Sequence, residues 1–422
     1  MNFSKFVLPA AFVVSFAVTT SQFVSAQDWA EFLGPHGSAR TADAAPTEWN
    51  ESKNMLWKMD LPGSGSSSPI IVGDRVFVTC YSLDNDNLTR QIVCTDKMSG
   101  KQLWAKAFPA EYREDGYRGY ITEHGYASNT PVSDGEHLFV FFGKGGVHSL
   151  DLDGNLNWSV DVGKESSNRE WGSAASLLLI EDRVIVNAAE ESKAIIALDK
   201  ATGKELWKQE AGMLELTYGT PRLVELKKEK KEVVISVPGE IWALNPSTGK
   251  LNWFAETSMT GNVTPSVIVD GETIYSFGGY RSNGSVSINA GGDDDVSQSR
   301  KNWTSRSSSY VATPLLHEDR LYWIDDHGLA MCINAKNGEE VYRERVPGLS
   351  GRPVYASPVL IGGKIYVVTR IAGTIVYLPA DKFEPLITNR IAGDETDFNA
   401  SPAVSNSRIY LRSNKSLYCI GE

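Results

Sequence analysis

The densest set of chemistry-bearing side chains lies in one stretch, Ala110–Asn129, which holds Tyr112, Arg113, Tyr117, Arg118, Tyr120, His124 and Tyr126. Tyrosine and arginine offer flat contact area, cation–π contacts and fixed donors, which is the chemistry of recognition. Two readings are open: a partner-binding surface, or a packed Ω-loop that caps the body beneath it. Further aromatics, Tyr126, Trp171, Tyr218, Tyr310, Tyr355 and Phe398, precede short dipeptides of the Ser/Thr-Pro type or its relatives. They either plug an axis by packing on one another or form a stacking platform for a planar ligand or sugar. Arg281, Arg370 and Arg412 end short β-type runs. Jointly they suit an anion, whereas pairing with Asp325 or Asp326 would spend them inside the chain.

Hydrolytic and metal chemistry is poorly provided. The six histidines are scattered, with no His-x-x-x-His or Cys–His cluster, and no Gly-x-Ser-x-Gly occurs. Asp293-Asp294-Asp295 and the run from Asp84 to Asn87 supply oxygens but lack the spacing of an EF-hand loop, so both read as solvated loops. No catalytic residue and no metal ligand is assigned, and no cofactor is expected.

The elements that must position these groups are repeats. Ala197–Trp207 reads as a strand end, a tight turn in which Asp199 accepts backbone N–H bonds and Gly203 takes a positive φ, and a second strand carrying Trp207. The same spacing returns at Cys94–Trp104 and Ala243–Trp253, one residue shorter at Ser149–Trp158, and with tyrosine at Cys332–Tyr342. Self-similarity at a period in the mid-forties marks a repeat architecture. Eight openings are read at Ser68-Pro69, Thr130-Pro131, Ser173-Ala174, Thr220-Pro221, Thr264-Pro265, Thr313-Pro314, Ser357-Pro358 and Ser401-Pro402. Each is followed by β-branched and aromatic runs with regular turn signals, so the fold is all-β. Four short strands per repeat make a propeller blade, and eight repeats make an eight-bladed β-propeller of four-stranded antiparallel blades. The eighth repeat ends one strand short at Leu417–Ile420, while Asn54–Asp60 matches an outer strand with no hairpin before it. The expectation is that this N-terminal strand completes the last blade and removes an open edge. Trp57, Trp104, Trp158, Trp207, Trp253 and Trp303 are expected to wedge between adjacent blades.

With 422 residues and a net charge of −11, the chain can bury a large core and is a poor partner for nucleic acid. Lys5, an apolar stretch from Phe6 to Val18 and the small residues before Gln27 read as an export leader over 1–26, cleaved near Ala26. The apolar stretch is too short and too broken by Pro9 to span a bilayer, so an exported (periplasmic or secreted) monomer with no membrane span is expected. Residues 27–53 read as an irregular arm and 54–422 as the propeller. Cys94, Cys332 and Cys419 occupy a small buried register of the repeat, and a disulfide between Cys80 and Cys94 is left open.

The Ala-x-Asp-x-x-Thr-Gly-x-x-x-Trp pattern at Ala197–Trp207 resembles the docking motif of the pyrroloquinoline-quinone (PQQ) repeat propellers, over residues 54–422. That family includes quinoprotein alcohol dehydrogenases and a non-enzymatic propeller of the outer-membrane assembly machinery, and the motif is structural in both. The ending Leu417–Ile420 and Ala290–Asp295 make the chain most similar to secreted repeat propellers of this kind. The resemblance implies a binding or scaffold protein that offers its channel-mouth face to a protein or glycan. The enzyme alternative, a dehydrogenase holding PQQ and Ca²⁺, implies an adjacent Cys-Cys pair, and this sequence has none.

Overall fold

Runs of three to six β-formers punctuated by Gly, Asp and Asn turns fold as short antiparallel strands, and these gather into eight sheets. The computed structural model describes Met1, residues 28–85 and residues 87–422. Apart from Met1, the leader read over 1–26 lies outside the described residues, as does Asp86.

In chain order the blades run from innermost to outermost strand as follows. Blade 1 spans Ile70–Val72 to Gln102–Pro109, blade 2 Val132–Ser133 to Leu156–Val160, and blade 3 Leu178–Ile180 to Glu205–Glu210. Blade 4 spans Arg222–Glu225 to Leu251–Glu256, blade 5 Ile268–Asp270 to Lys301–Ser305, and blade 6 Leu315–His317 to Glu340–Arg345. Blade 7 spans Val359–Ile361 to Pro385–Asn389. Blade 8 takes Ala403–Ser405, Arg408–Arg412 and Ser416–Ile420 from the end of the chain and its fourth strand, Met55–Asp60, from the beginning. Trp57 faces Cys419 and Lys58 faces Tyr418 across that seam, so the expected closure is what forms.

Glycine and tryptophan of the repeat meet across blades. A Cβ on Gly203 would lie 2.7 Å from the Trp158 ring, and one on Gly249 would lie 2.4 Å from that of Trp207. Gly100 under Trp57, Gly154 under Trp104 and Gly338 under Trp303 repeat the contact. The glycine therefore does two things: it takes the positive φ of the turn, and it lets the previous blade's indole lie flat on the backbone. Each of these indoles also donates its N–H to a carbonyl of the next blade's turn: Trp57 to Lys97, Trp104 to Leu152, Trp158 to Lys200, Trp207 to Pro246 and Trp303 to Ala335. Trp253 wedges against the next blade too, but its hydrogen bond differs. It packs among blade 5 residues such as Ile274 and Ile288, but its N–H turns back to the buried Glu232 of its own blade at 2.8 Å.

Two of the eight openings sit elsewhere than expected. The hydroxyl residue that starts a blade lies two positions before its innermost strand, which makes it Ser176 in blade 3 and Ser266 in blade 5, where Ser173 and Thr264 were expected. These eight residues form a closed belt around the axis. Each backbone N–H donates to the hydroxyl of the next: Ser68 to Thr130, Thr130 to Ser176, Ser176 to Thr220, Thr220 to Ser266, Ser266 to Thr313, Thr313 to Ser357, Ser357 to Ser401, and Ser401 back to Ser68, at 2.9–3.1 Å.

The N-terminal arm is more ordered than an irregular segment. Trp29 bridges Ile71 of blade 1, the Ala30 carbonyl accepts from Ser133 N of blade 2, and Phe32 O accepts from Arg222 of blade 4. Arg40–Thr41 then pairs in parallel with Leu360–Ile361 of blade 7. The arm thus crosses the end of the axis opposite the mouth. All four cysteines are free and buried, and Cys80 faces Gln91 while Cys94 faces Phe77, so the register keeps those two apart.

Candidate binding face at the channel mouth

The connections from one blade to the next and from second to third strand share the mouth face, and the longest of them, 110–129, lies over the axis. Its short helix Ile121–His124 sets Glu123 and His124 there. The Glu123 carboxylate accepts from Arg370 at 2.9 Å, from Tyr355 O–H and from Arg352 at 3.4 Å, while its carbonyl accepts from Asn399 at 2.7 Å. One residue, through its carboxylate and its carbonyl, thereby ties a loop of blades 1 and 2 to the connections of blades 6, 7 and 8. His124 donates through Nε2 to the Trp171 carbonyl at 2.9 Å and meets Ser128 Oγ through Nδ1 at 2.6 Å. Burial pushes its pKa below the ordinary value, so the ring is a neutral structural piece.

The root of the loop is held by buried ion pairs. Arg90 meets Glu114 at 2.6 Å and the Tyr126 carbonyl at 2.9 Å, and Lys144 meets Asp115 at 2.8 Å. Beneath them blade 3 contributes Glu190 and Glu191, 4% and 2% exposed, and Glu190 Oε1 and Glu191 Oε2 have no protein partner. Burial first, and the neighbouring Glu190 second, push the Glu191 pKa up to about 8.

The upper surface of the loop is different. Arg113, Tyr117 and Arg118 are exposed, Tyr117 by 50%. Tyr112 turns down and receives Lys164 over its ring at 4.9 Å; Tyr126 packs edge-on against Tyr81 at 5.4 Å. Arg118 is spent on Glu170. The loop therefore has a pinned underside and a wet, aromatic and cationic top.

The expected aromatics do not make one ring. Trp171 stacks on Tyr218 at 6.2 Å and meets Tyr120 edge-on at 4.5 Å, and Tyr120 reaches Tyr310 at 6.4 Å. Tyr355 is engaged by Glu123, and Phe398 stacks on Tyr418 of blade 8. Tyr120, which sequence reasoning placed in the loop but not among the site residues, is what joins the two sides. The three arginines are not brought together either. Arg370 pairs with Glu123 and Asp397, Arg412 is buried on Ser67 and Cys80, and Arg281 lies over its neighbour Tyr280 at 5.6 Å. None of them pairs with Asp325 or Asp326, because Glu123 and Asp397 stand closer to Arg370 and burial removes Arg412 from the surface.

Beside the loop opens a cleft of about 480 Å³, walled by Tyr120, Tyr280, Tyr310, Arg281, Arg352 and Asp326. Asp325, Asp326 and His327 at its edge are the one group of three or more possible metal-ligating side chains that converge among the described residues. No helix among the described residues is long and apolar enough to cross a membrane.

A family described as outer membrane protein assembly factor BamB, of the PQQ-repeat type, matches residues 47–179, 89–344 and 282–381. The chain belongs to this family. Among relatives, the outer membrane protein assembly factor BamB of Shewanella oneidensis is 24% identical over 339 residues, covering 75% of this chain and 76% of that one. The BamB structure from Moraxella catarrhalis superposes with a TM-score of 0.62 at 17% identity, over 86% of this chain and 96% of that one. The quinohemoprotein alcohol dehydrogenase of Comamonas testosteroni gives 0.54 at 11% identity, over 93% and 80%. At such identities the likeness to BamB and dehydrogenase structures alike speaks for the propeller and for nothing finer.

Proposed function

We propose that this BamB-family propeller is an exported, non-catalytic binding protein that presents its mouth face to a protein partner. The observation that carries the reading is the build of the 110–129 loop. Its underside is fixed by Glu114, Asp115 and Glu123, while Arg113, Tyr117 and Arg118 stand exposed on top. A surface held rigid before binding loses little conformational entropy on association, and tyrosine and arginine supply most of the energy at such contacts. The family's description as an assembly factor supports a protein as that partner, and a glycan in the neighbouring cleft is the other class to test. The leader read over 1–26 supports export.

The residues at the mouth do not fit the quinone of the enzyme alternative. Tyr120 is packed on Trp171, Glu123 is engaged by Arg370 and Tyr355 and His124 by Trp171 and Ser128, and the four cysteines are buried singly, which speaks against it. The deciding experiment is capture with the full-length mature protein against a variant lacking Tyr112–Tyr120. Capture of one defined protein by the wild type and its loss in the variant is expected; equal capture by both removes the loop as the contact. Adding PQQ and Ca²⁺ to the same preparation should leave its absorbance and its dye-linked alcohol oxidation unchanged.

A further inference from the structure

The cleft of about 480 Å³ beside the loop carries side chains of both signs that do not pair with one another. Tyr280 and Arg281 come from the second-to-third strand connection of blade 5, between Thr273–Gly278 and Gly284–Asn289. Asp325 and Asp326 come from the same connection of blade 6, between Arg320–Ile324 and Leu329–Asn334. Tyr310, from the link between the two blades, and Tyr120, from the 110–129 loop, complete the wall. Among the described residues Arg281 forms no ion pair, and Asp326 has only the exposed His327 ring as a partner, at 3.3 Å. The Asn283 and Ser308 side chains on the same wall make no hydrogen bond to another described residue. Arg281 sits at φ +68°, a conformation that glycine holds at less cost, and its side chain lines the cleft.

Each of these features excludes a class of guest. Tyr120 and Tyr280 are each tilted by 50° from Tyr310, so a flat aromatic could lie on one of the three rings and not on its neighbours. Arg352 lies over the Tyr120 ring at 4.8 Å and Arg281 over Tyr280 at 5.6 Å, taking the places where a cationic guest would sit. An anion would face Asp325 and Asp326. A wholly apolar guest would strip water from Arg281 and Asp326 and return no hydrogen bond. What remains is a neutral guest whose polar groups both donate and accept, carried on a saturated frame. A sugar hydroxyl is such a group: it accepts from Arg281 or Asn283 and donates to Asp326. A puckered sugar ring also offers C–H bonds along a curved trough, where a planar ligand offers one flat face. The volume lies within the range of small-molecule sites, roughly 300–1,000 Å³.

We propose that this cleft is a binding site for an uncharged oligosaccharide, with sugar C–H faces on Tyr280 and Tyr310 and hydroxyls spanning Arg281 and Asp326. The site goes beyond the protein contact assigned to the loop, because Arg113, Tyr117 and Arg118 take no part in lining it.

Saturation-transfer NMR on the full mature chain reads contact with sugar C–H protons directly. The probes are neutral oligosaccharides of glucose, N-acetylglucosamine, mannose, galactose and xylose. The wild type is expected to transfer saturation to at least one series; transfer to none overturns the proposal. Arg281→Gly, which suits the positive φ at that position, and Asp326→Ala should each raise the Kd of the bound sugar about tenfold, the loss of a hydrogen bond to a charged group. Binding that both variants retain would place the sugar elsewhere on the molecule and overturn the assignment. Choline and citrate, one cation and one anion, should leave the bound sugar in place; displacement by either overturns the neutral guest.

Discussion

Trp207 is 7% exposed, lies against Gly249 of the next blade and bonds the Pro246 carbonyl, so its loss empties a space that backbone cannot refill. Trp207→Ala is expected to cost about 3–5 kcal/mol, read as a lower urea midpoint at unchanged slope. Glu191 makes a different prediction. Its folded pKa of about 8 stands above the ordinary 4.5, so between those two values the unfolded chain sheds a proton that the native protein keeps. The native state then binds more protons, and stability is highest below pH 4.5 for this group and falls as pH rises toward 8, by up to about 1.4 kcal/mol per unit. Glu191→Gln should flatten that slope in denaturant titrations run from pH 5 to 8. A slope that is unchanged would mean that Arg90, which faces Glu191 together with Glu114 and Glu190, already holds it ionised.

At the level of elements, the strand Met55–Asp60 carries the closure. Deleting residues 54–61 removes the outer edge of blade 8 and the Trp57 that docks on blade 1, so cooperative folding should be lost; an unchanged melting temperature in calorimetry would refute the closure. This strand was legible in the sequence because its pattern, Leu56-Trp57-Lys58, repeats that of Leu206-Trp207-Lys208. The blades were legible for the same reason: one local solution to strand, turn and indole is used again and again. The misplaced openings show the limit of that method. Ser176 and Ser266 are followed by Leu177 and Val267, not proline, and Thr264-Pro265 offers a better-looking match two residues early. Nothing local marks Glu123, since its partners Arg352, Tyr355 and Arg370 lie 229, 232 and 247 residues away. The parallel pairing of Asp294–Asp295 with Trp253–Phe254 escaped too, because a polar two-residue strand has no periodicity to read.

On the scale of the whole molecule, eight wedges that each rest on their neighbour are stable only as a ring, and this ring has a single seam. The side chains that meet there, such as Ser416 and Asp60, are 356 residues apart. Contacts of such separation are slow to find, because the entropy of the whole intervening chain opposes them. A ribosome makes the seam's first half, Met55–Asp60, some 356 residues before it reaches the second, Ser416–Ile420. The fourth strand of blade 8 must therefore wait, without its strand partner, until the other seven blades and Ser416–Ile420 exist. A nascent chain interrupted anywhere before Ser416 exposes that strand and an unfinished last sheet at once, which gives a quality-control protease or a chaperone one feature that tells finished molecules from unfinished ones.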